Sequence, residues 1–205
     1  MVYSKGAFLR KPVLTDRALG RFYRLLSVPM TDFDCGKLCA PDNGGIPACC
    51  EDQTTYPVLY VDEFKWLRKK SRFWKRMSLK KKKARELASE LHESSMLAKC
   101  PGPAACKRSC RAIVCRIFPF EPHLDQYGNV QGLTYNFNMD DRCPLIGRPE
   151  SDFNPVYIRN SIVFWKELLA LMPEEHELYM EESDKLRRKF RRQGRKVPVF
   201  TGRRS

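Results

Sequence analysis

Apolar residues recur at helical spacing in two stretches of the N-terminal half of the chain. Residues 15–28 predict a short amphipathic helix, with Thr15 or Asp16 as its N-terminal cap. Residues 62–94 predict a long basic helix, because apolar side chains recur at intervals of three, four and seven while lysines occupy the other faces. These apolar positions are Phe64, Leu67, Trp74, Met77, Ala84, Leu87, Ala88 and Leu91. A break near Ser78 is the alternative to one continuous helix.

The pattern in the C-terminal half predicts a β-hairpin followed by two more helices. The hairpin turns at residues 127–129, between two short stretches rich in apolar and aromatic residues. Residues 156–172 are strongly apolar and predict a helix that ends before Pro173. A last helix begins at the glutamates at 174–175 and ends in a basic tail. We therefore expect a mainly α fold with irregular cysteine-rich loops and one small β-hairpin.

The composition indicates one domain with a real core. The chain has 205 residues, of which 42% are hydrophobic and 30% charged, and these values exclude a disordered chain. We divide it into an N-terminal helical extension (1–30), a cysteine-cluster metal-binding domain (31–150) that includes the basic helix 62–94, and C-terminal helices with a basic tail (151–205). Only residues from about 190–205 are expected to lie outside a single compact unit nucleated by metal.

Positive charge is concentrated in two segments. The formal net charge is +14, and residues 65–85 and 185–205 hold twelve and ten Lys or Arg residues without any acid. Such segments could bring the protein to nucleic acid, an anionic membrane surface or an acidic protein partner. The alternative is a pair of solvated helix faces and a frayed tail.

Membrane insertion and secretion are not indicated. No run of apolar residues reaches the length of a membrane-spanning helix, and the N-terminal residues are too charged for a secretory signal. We expect a cytoplasmic protein without a transmembrane segment.

The nine cysteines carry the strongest chemical signal, because eight of them fall in two windows of 16 residues. The first window holds Cys35, Cys39, Cys49 and Cys50; the second holds Cys100, Cys106, Cys110 and Cys115; Cys143 follows alone. Clustered thiolates favour Zn²⁺ or an iron–sulfur cluster, since soft sulfur ligands at short spacing converge on one centre with little loss of chain entropy. Disulfides and buried free thiols are the alternatives.

The residues between and beside the cysteines support a metal site. The stretch 40–48 is rich in Pro, Gly, Asp and Asn, so it predicts a loop that doubles back and brings the two halves of the first window together. Arg116, directly after Cys115, is a candidate to donate a charge-assisted hydrogen bond to a thiolate or to hold an anionic ligand or cofactor. His123 is the one histidine close in sequence to the cysteines and is a further candidate ligand.

These motifs resemble a cysteine-cluster family with the hallmark C-x2-C-x2-CC, described as a zinc- or iron-chelating domain. The similarity covers residues 33–147 and lies in the vicinal pair at 49–50, in Cys-Arg-Ile-Phe-Pro at 115–119 and in Cys-Pro-Leu at 143–145. In this chain the first spacing is C-x3-C, and nine residues separate it from the vicinal pair. A similar motif occurs in flagellin lysine-N-methylases, which are described with an iron–sulfur cluster used in methyl transfer.

The resemblance implies a metal-binding protein that holds zinc or an iron–sulfur cluster of the [4Fe-4S] type through its nine cysteines. One alternative is a basic module that binds nucleic acid or a protein partner and uses zinc only for structure. The other is an iron–sulfur enzyme of methyl transfer or redox chemistry. The motifs of dinucleotide-binding and phosphate-binding loops, of serine hydrolases and of zinc proteases are absent from the sequence.

Overall fold

Helices, short strands and cysteine-bearing loops alternate along the chain. The structure is a computed structural model that describes residues 13–50, 56–139 and 141–203. The helices are α1 (Asp16–Leu25), α2 (Gly36–Cys39), α3 (Val61–Lys70), α4 (Lys82–Glu90), α5 (Ile113–Ile117), α6 (Pro155–Leu171) and α7 (Pro173–Arg192). The strands are β1 (Val58–Tyr60), β2 (Lys75–Arg76), β3 (Ser95–Lys99), β4 (Phe120–Leu124) and β5 (Val130–Tyr135).

The first predicted helix is confirmed as α1. The hydroxyl of Thr15 accepts a hydrogen bond from the Ala18 amide at 3.2 Å and so caps the helix, as the sequence predicts. Leu19 and Phe22 are fully buried on one face, and the ring of Phe22 meets the edge of Phe164 from α6 at 5.1 Å. The amphipathic stripe of α1 therefore packs on the C-terminal helices.

The long basic helix predicted over 62–94 is instead two helices separated by a strand. After α3 the chain forms β2, then α4 and then β3, and the three strands make an antiparallel sheet in the order β1-β3-β2. The break lies at residues 71–81, around the predicted alternative at Ser78. The prediction of one helix over 62–94 is wrong in that respect.

A tertiary contact explains the break between α3 and α4. Trp74 is 1% exposed, and its indole N–H donates a hydrogen bond of 2.7 Å to the carbonyl of Cys110 in the second cysteine window. The strand also gives Lys75 and Arg76 backbone partners on β3, while a helix would place the repelling charges of this segment close together. Burial of Trp74 and sheet pairing thus outweigh the helical pattern.

The predicted hairpin and C-terminal helices are confirmed. Strands β4 and β5 pair antiparallel, with Phe120 opposite Tyr135, and the Asp125 carboxylate accepts hydrogen bonds from two amides of the turn. Gly128 has a φ of 84°, which glycine adopts without strain. The side chain of Asn154 caps α6 through the Val156 amide at 2.9 Å. The fold is mainly helical with small antiparallel sheets, and it forms one compact domain.

The C-terminal segment packs into this domain, which differs from the prediction that residues from about 190–205 lie outside it. Phe200 is 4% exposed, its amide and carbonyl pair with Leu133 of β5, and its ring contacts Phe120, Tyr135 and Phe153. An aromatic anchor therefore fixes the tail up to residue 203. The prediction missed this anchor because one phenylalanine among arginines and lysines carries no periodic signal. Residues 1–12 of the predicted extension and 204–205 of the tail lie outside the described residues.

None of the helices in the described part of the chain combines the length and the apolar character that crossing a membrane requires.

Candidate metal centre

The first cysteine window doubles back as predicted. Cys35 and Cys39 flank α2, and a 3-10 helix from Ala48 to Cys50 carries the vicinal pair. The intervening loop turns at two glycines with φ of 61° and 81°, a conformation that side chains disfavour. The Sγ atom of Cys39 then accepts a hydrogen bond from the Ala48 amide at 3.4 Å. The turn chemistry of residues 40–48 thus joins the two halves of this window.

The second window lies between β3 and α5 in the chain. Short 3-10 helices at Pro103–Ala105 and Arg108–Cys110 form the loop, and α5 presents Cys115. The Sγ atom of Cys110 lies 3.9 Å from the hydroxyl of Ser71, beside the buried Trp74. Cys110 therefore faces the start of the β2 segment.

The fold brings the two windows together at Cys115 and the vicinal pair. Cys115 is exposed at the surface, yet the protein atoms around it displace water, and this loss of hydration, followed by the charges of Cys50, Glu63, Cys100 and Cys106, raises its pKa to about 12. Each of these charges acts on Cys115, so the thiols of both windows lie in one region of the fold. We call Cys50, Cys100, Cys106 and Cys115 the four-thiol group.

A second set of thiols surrounds α2 and includes the cysteine that stands alone in the sequence. Burial, followed by the charges of Cys143, Asp34 and Cys39, raises the pKa of Cys35. Burial also raises the pKa of Cys143, and the charge of Cys39 adds to it, while hydrogen bonds with the amides of residues 145 and 146 oppose it. We call Cys35, Cys39 and Cys143 the three-thiol group.

Cys49 lies between the two groups. Its Sγ atom is 4.0 Å from that of Cys50, and this contact first, then burial and the charges of Cys50, Cys35 and Cys115, raise the pKa of Cys49. The same contact lowers the pKa of Cys50 to about 7, assisted by the positive charge of Arg111 against the effect of burial. Eight of the nine cysteines are thereby linked through electrostatic interactions, while the Sγ atom of Cys110 has its contacts with the hydroxyls of Ser71 and Ser109.

Arg111 is the cation at the thiols, and the sequence analysis missed it. Burial disfavours the charge of Arg111, but its interactions with the thiols of Cys106, Cys115 and Cys50 outweigh burial and raise its pKa. A signal was present, since Arg111 follows Cys110 in the same way that Arg116 follows Cys115. The sequence offers no way to choose between the two.

Arg116, the residue predicted to meet a thiolate or an anion, holds the backbone of the second window instead. Its guanidinium donates hydrogen bonds to the carbonyls of Leu26, Arg108, Ser109 and Arg111 at 2.8–3.5 Å. It also lies 4.6 Å from the ring centroid of Tyr23. These contacts use the donor fork of Arg116 for main-chain acceptors, so its place in the fold is that of a residue that shapes the loop.

A buried carboxylate positions α5. Glu63 is 1% exposed on α3 and accepts hydrogen bonds from the Tyr23 hydroxyl at 2.6 Å and from the Ile113 amide at 2.7 Å. Burial raises the pKa of Glu63, and these hydrogen bonds counter the shift. Because Ile113 is the first residue of α5, Glu63 ties the helix that carries Cys115 to α3.

His123 lies in a different part of the fold. It is 6% exposed on β4, and burial together with the charge of Arg187 on α7 lowers its pKa. The structure therefore does not place this histidine among the neighbours of the thiols.

The sulfur donors are of the type that zinc and iron–sulfur clusters take, but their positions are not those of ligands around a bound metal. The groups are all sulfur, with Arg111 beside them to offset negative charge. Nevertheless, nowhere in residues 13–50, 56–139 and 141–203 do three or more Cys, His, Asp or Glu side chains already stand together as metal ligands would. Ligation of a metal therefore requires the thiols to approach one another.

Comparisons of the chain with protein-family models, with curated proteins and with solved structures found no match.

Proposed function

We propose that this protein binds zinc or an iron–sulfur cluster of the [4Fe-4S] type through its clustered cysteines. The observation that supports the proposal most directly is that thiols from three separate regions of the chain act on one another electrostatically. Free thiols gain little from such clustering, because each ionised sulfur raises the cost of ionising the next. Metal binding turns this cost into a gain, since thiolates bind the ion directly.

The four-thiol group is the first candidate ligand set. Four thiolates are the number that either a closed zinc site or a [4Fe-4S] cluster takes. The positive charge of Arg111, which interacts with Cys106, would offset the negative charge of such a centre. The three-thiol group, completed by Cys49, is the candidate for a second centre.

Metal and acid-labile sulfide analysis of protein purified without oxygen tests the proposal. Iron with sulfide and absorbance near about 400 nm would identify an iron–sulfur centre and direct the search to redox or methyl-transfer chemistry. Stoichiometric zinc in a colourless protein would identify a closed structural site. Absence of both metals from protein with reduced thiols would contradict the proposal.

Cysteine variants test the ligand set. Cys115→Ser and Cys50→Ser should each lose most of the bound metal, because serine is a poor ligand for zinc and iron–sulfur centres. Cys110→Ser is the matched control, since Cys110 belongs to the same window but lies beside Ser71. Equal metal content in all three variants would show that the four-thiol group is not the ligand set.

We propose, as a second function, that residues 65–85 bind nucleic acid. Lys75, Lys80 and Lys81 are exposed, and none of them pairs with an acidic residue in the part of the chain that the structure describes. Other bases of 65–85 pair with acids, namely Lys65, Lys69 and Lys82, and so do Lys185 and Arg188 of the second basic segment. Unpaired lysines gain most from phosphates, because binding releases condensed counterions.

Binding of a single-stranded RNA oligonucleotide, measured against salt concentration, tests this second function. Replacing Lys75, Lys80 and Lys81 by Gln should reduce the slope of log affinity against log salt by about two. Replacing Lys185 and Arg188 by Gln is the control and should change the slope less. Equal effects of the two sets would contradict the assignment to 65–85. Preference for an acidic polypeptide over RNA would point to a protein partner instead.

A further inference from the structure

A cavity of about 150 Å³ lies between the hairpin and α7, outside the cysteine region. Its lining includes Glu121 and Thr134, which face each other across the hairpin at paired positions of β4 and β5. From α7 it includes Tyr179, Lys185 and Lys189. A cavity of this size accommodates a molecule of about six non-hydrogen atoms, since an engineered cavity of about 150 Å³ holds benzene.

Thr134 is a buried residue in the lining of this cavity. Thr134 is 3% exposed, and its Oγ1 atom has no hydrogen-bond partner among the described residues. Buried hydroxyl groups are normally hydrogen-bonded, because an unpaired one loses its interaction with water without compensation. A polar atom bound in the cavity would provide the missing partner.

Glu121 adds an acidic group beside this hydroxyl. One carboxylate oxygen accepts a hydrogen bond from the Asn136 side chain at 2.6 Å, and a carboxylate has capacity for further donors. Burial and the charge of Glu182 raise the pKa of Glu121 to about 7, although the bond from Asn136 opposes the shift. A cation at this position would offset the charge that burial disfavours.

The side of the cavity that α7 forms carries Lys185 and Lys189 together with Glu182. Lys189 is exposed, and its ammonium lies 5.9 Å from the ring centroid of Phe137. It forms no ion pair with an acid that the structure describes, whereas Lys185 pairs with Glu182 at 2.7 Å. Lys189 is therefore the cation that is available to an anionic group.

We propose that this cavity binds a small zwitterion, an α-amino acid of about the size of alanine. The ammonium group donates hydrogen bonds to Glu121 and to the Thr134 hydroxyl, and the carboxylate meets Lys189. The phenol of Tyr179 remains protonated and completes the polar wall, because burial and then the charges of Glu121, Glu175 and Glu182 raise its pKa. This site goes beyond the proposed metal centre, and neither depends on the other.

Titration of the full-length protein with L-alanine, followed by amide NMR, tests the proposal. We expect the amide signals of Thr134 and Tyr179 to shift with a Kd on the order of 1 mM, a reasonable affinity for about six non-hydrogen atoms. Ethylamine and propionate, which each carry one of the two charges, should bind at least about ten-fold more weakly. Binding of either as tightly as L-alanine would overturn the zwitterion assignment.

Variants separate the site from a general effect on the fold. Glu121→Gln should weaken L-alanine binding about ten-fold or more, and Thr134→Val, which keeps the shape of the side chain, should weaken it several-fold. Glu177→Gln, exposed elsewhere on α7, is the control and should bind like the wild type. Failure of L-alanine to shift the signals of Thr134 and Tyr179 in the wild-type protein would overturn the proposal, whatever metal the protein contains.

Discussion

Arg111 and Arg116 each follow a cysteine in the sequence, and the fold gives them different partners. Arg111 meets Cys106 and the four-thiol group, while Arg116 donates to backbone carbonyls. The dipeptide Cys-Arg is the same at both positions, so it does not decide the partner. Arg111 lies before α5 and Arg116 lies within it, and a contact between Glu63 and Ile113 holds that helix in place.

At the residue scale, the raised pKa of Glu121 predicts that the stability of the fold depends on pH. From its usual pKa of 4.5 up to about 7, folded Glu121 keeps a proton that the unfolded chain has lost, so stability falls as pH rises through this window. Above pH 7 the stability of the fold remains at this lower value. Glu121→Gln removes this cost and should stabilise the fold by on the order of 2 kcal/mol at about pH 8, with no gain near pH 4.

Urea unfolding of wild type and Glu121→Gln at several pH values measures this gain. Glu177→Gln is again the control, because it lies on the exposed part of α7. A gain that is equal at all pH values would contradict the link to ionisation of Glu121.

At the scale of elements, local sequence patterns determine some helices and strands, and tertiary contacts determine the others. Helices α1 and α6 have side-chain caps, α7 begins with a proline and two glutamates, and the hairpin has a tight turn, so these elements form where predicted. The segment between α3 and α4 has a helical pattern but becomes a strand, because Trp74 binds Cys110 and the sheet offers partners. Residues near Phe200 have no local pattern, yet they pair with β5.

The docking of the C-terminal segment on β5 depends on a close approach at Gly132. A Cβ atom there would collide with the carbonyl oxygen of Phe200 and lie 2.7 Å from the Val199 side chain. Gly132→Ala should therefore destabilise the protein by about 1–3 kcal/mol and speed hydrogen exchange at the Phe200 amide. Denaturant unfolding and exchange by NMR measure the two effects.

Gly20→Ala is the matched control for this variant. Gly20 lies within α1, where the nearest atom to an added Cβ is 3.8 Å away, on Arg24. Alanine favours the helix, so this variant should be more stable by about 0.5–1 kcal/mol. A Gly132→Ala variant with unchanged stability and exchange would show that the segment does not dock on β5 in solution.

At the scale of the whole molecule, the cysteine regions join parts of the chain that are far apart in sequence. The four-thiol group links the first and second windows, and Cys143 connects the segment before α6 to α2. In contrast, the hairpin, α6 and the C-terminal segment share an aromatic cluster built on Phe120 and Phe200. Metal and apolar packing would therefore stabilise different parts of one domain.

Metal removal should expose this difference. A chelator under reducing conditions should lower the free energy of unfolding by several kcal/mol, because the ligands no longer cross-link their loops. Hydrogen exchange should rise first at residues 35–50 and 100–115, while the aromatic cluster stays protected. Thermal unfolding with and without chelator measures the first effect. Identical melting and exchange after complete metal removal would show that the metal does not contribute to folding.

The sequence by itself determined the helical class, the hairpin, the cap of α1 and the two cysteine windows with the loop that doubles back. These features depend on neighbours along the chain, so side-chain periodicity and turn chemistry are sufficient to specify them. Only the tertiary structure decided that the basic stretch 62–94 breaks, that the tail docks through Phe200, and that Arg111 meets the thiols. The reason is the same in each case: burial of one large side chain or one charge depends on atoms that come from distant parts of the chain.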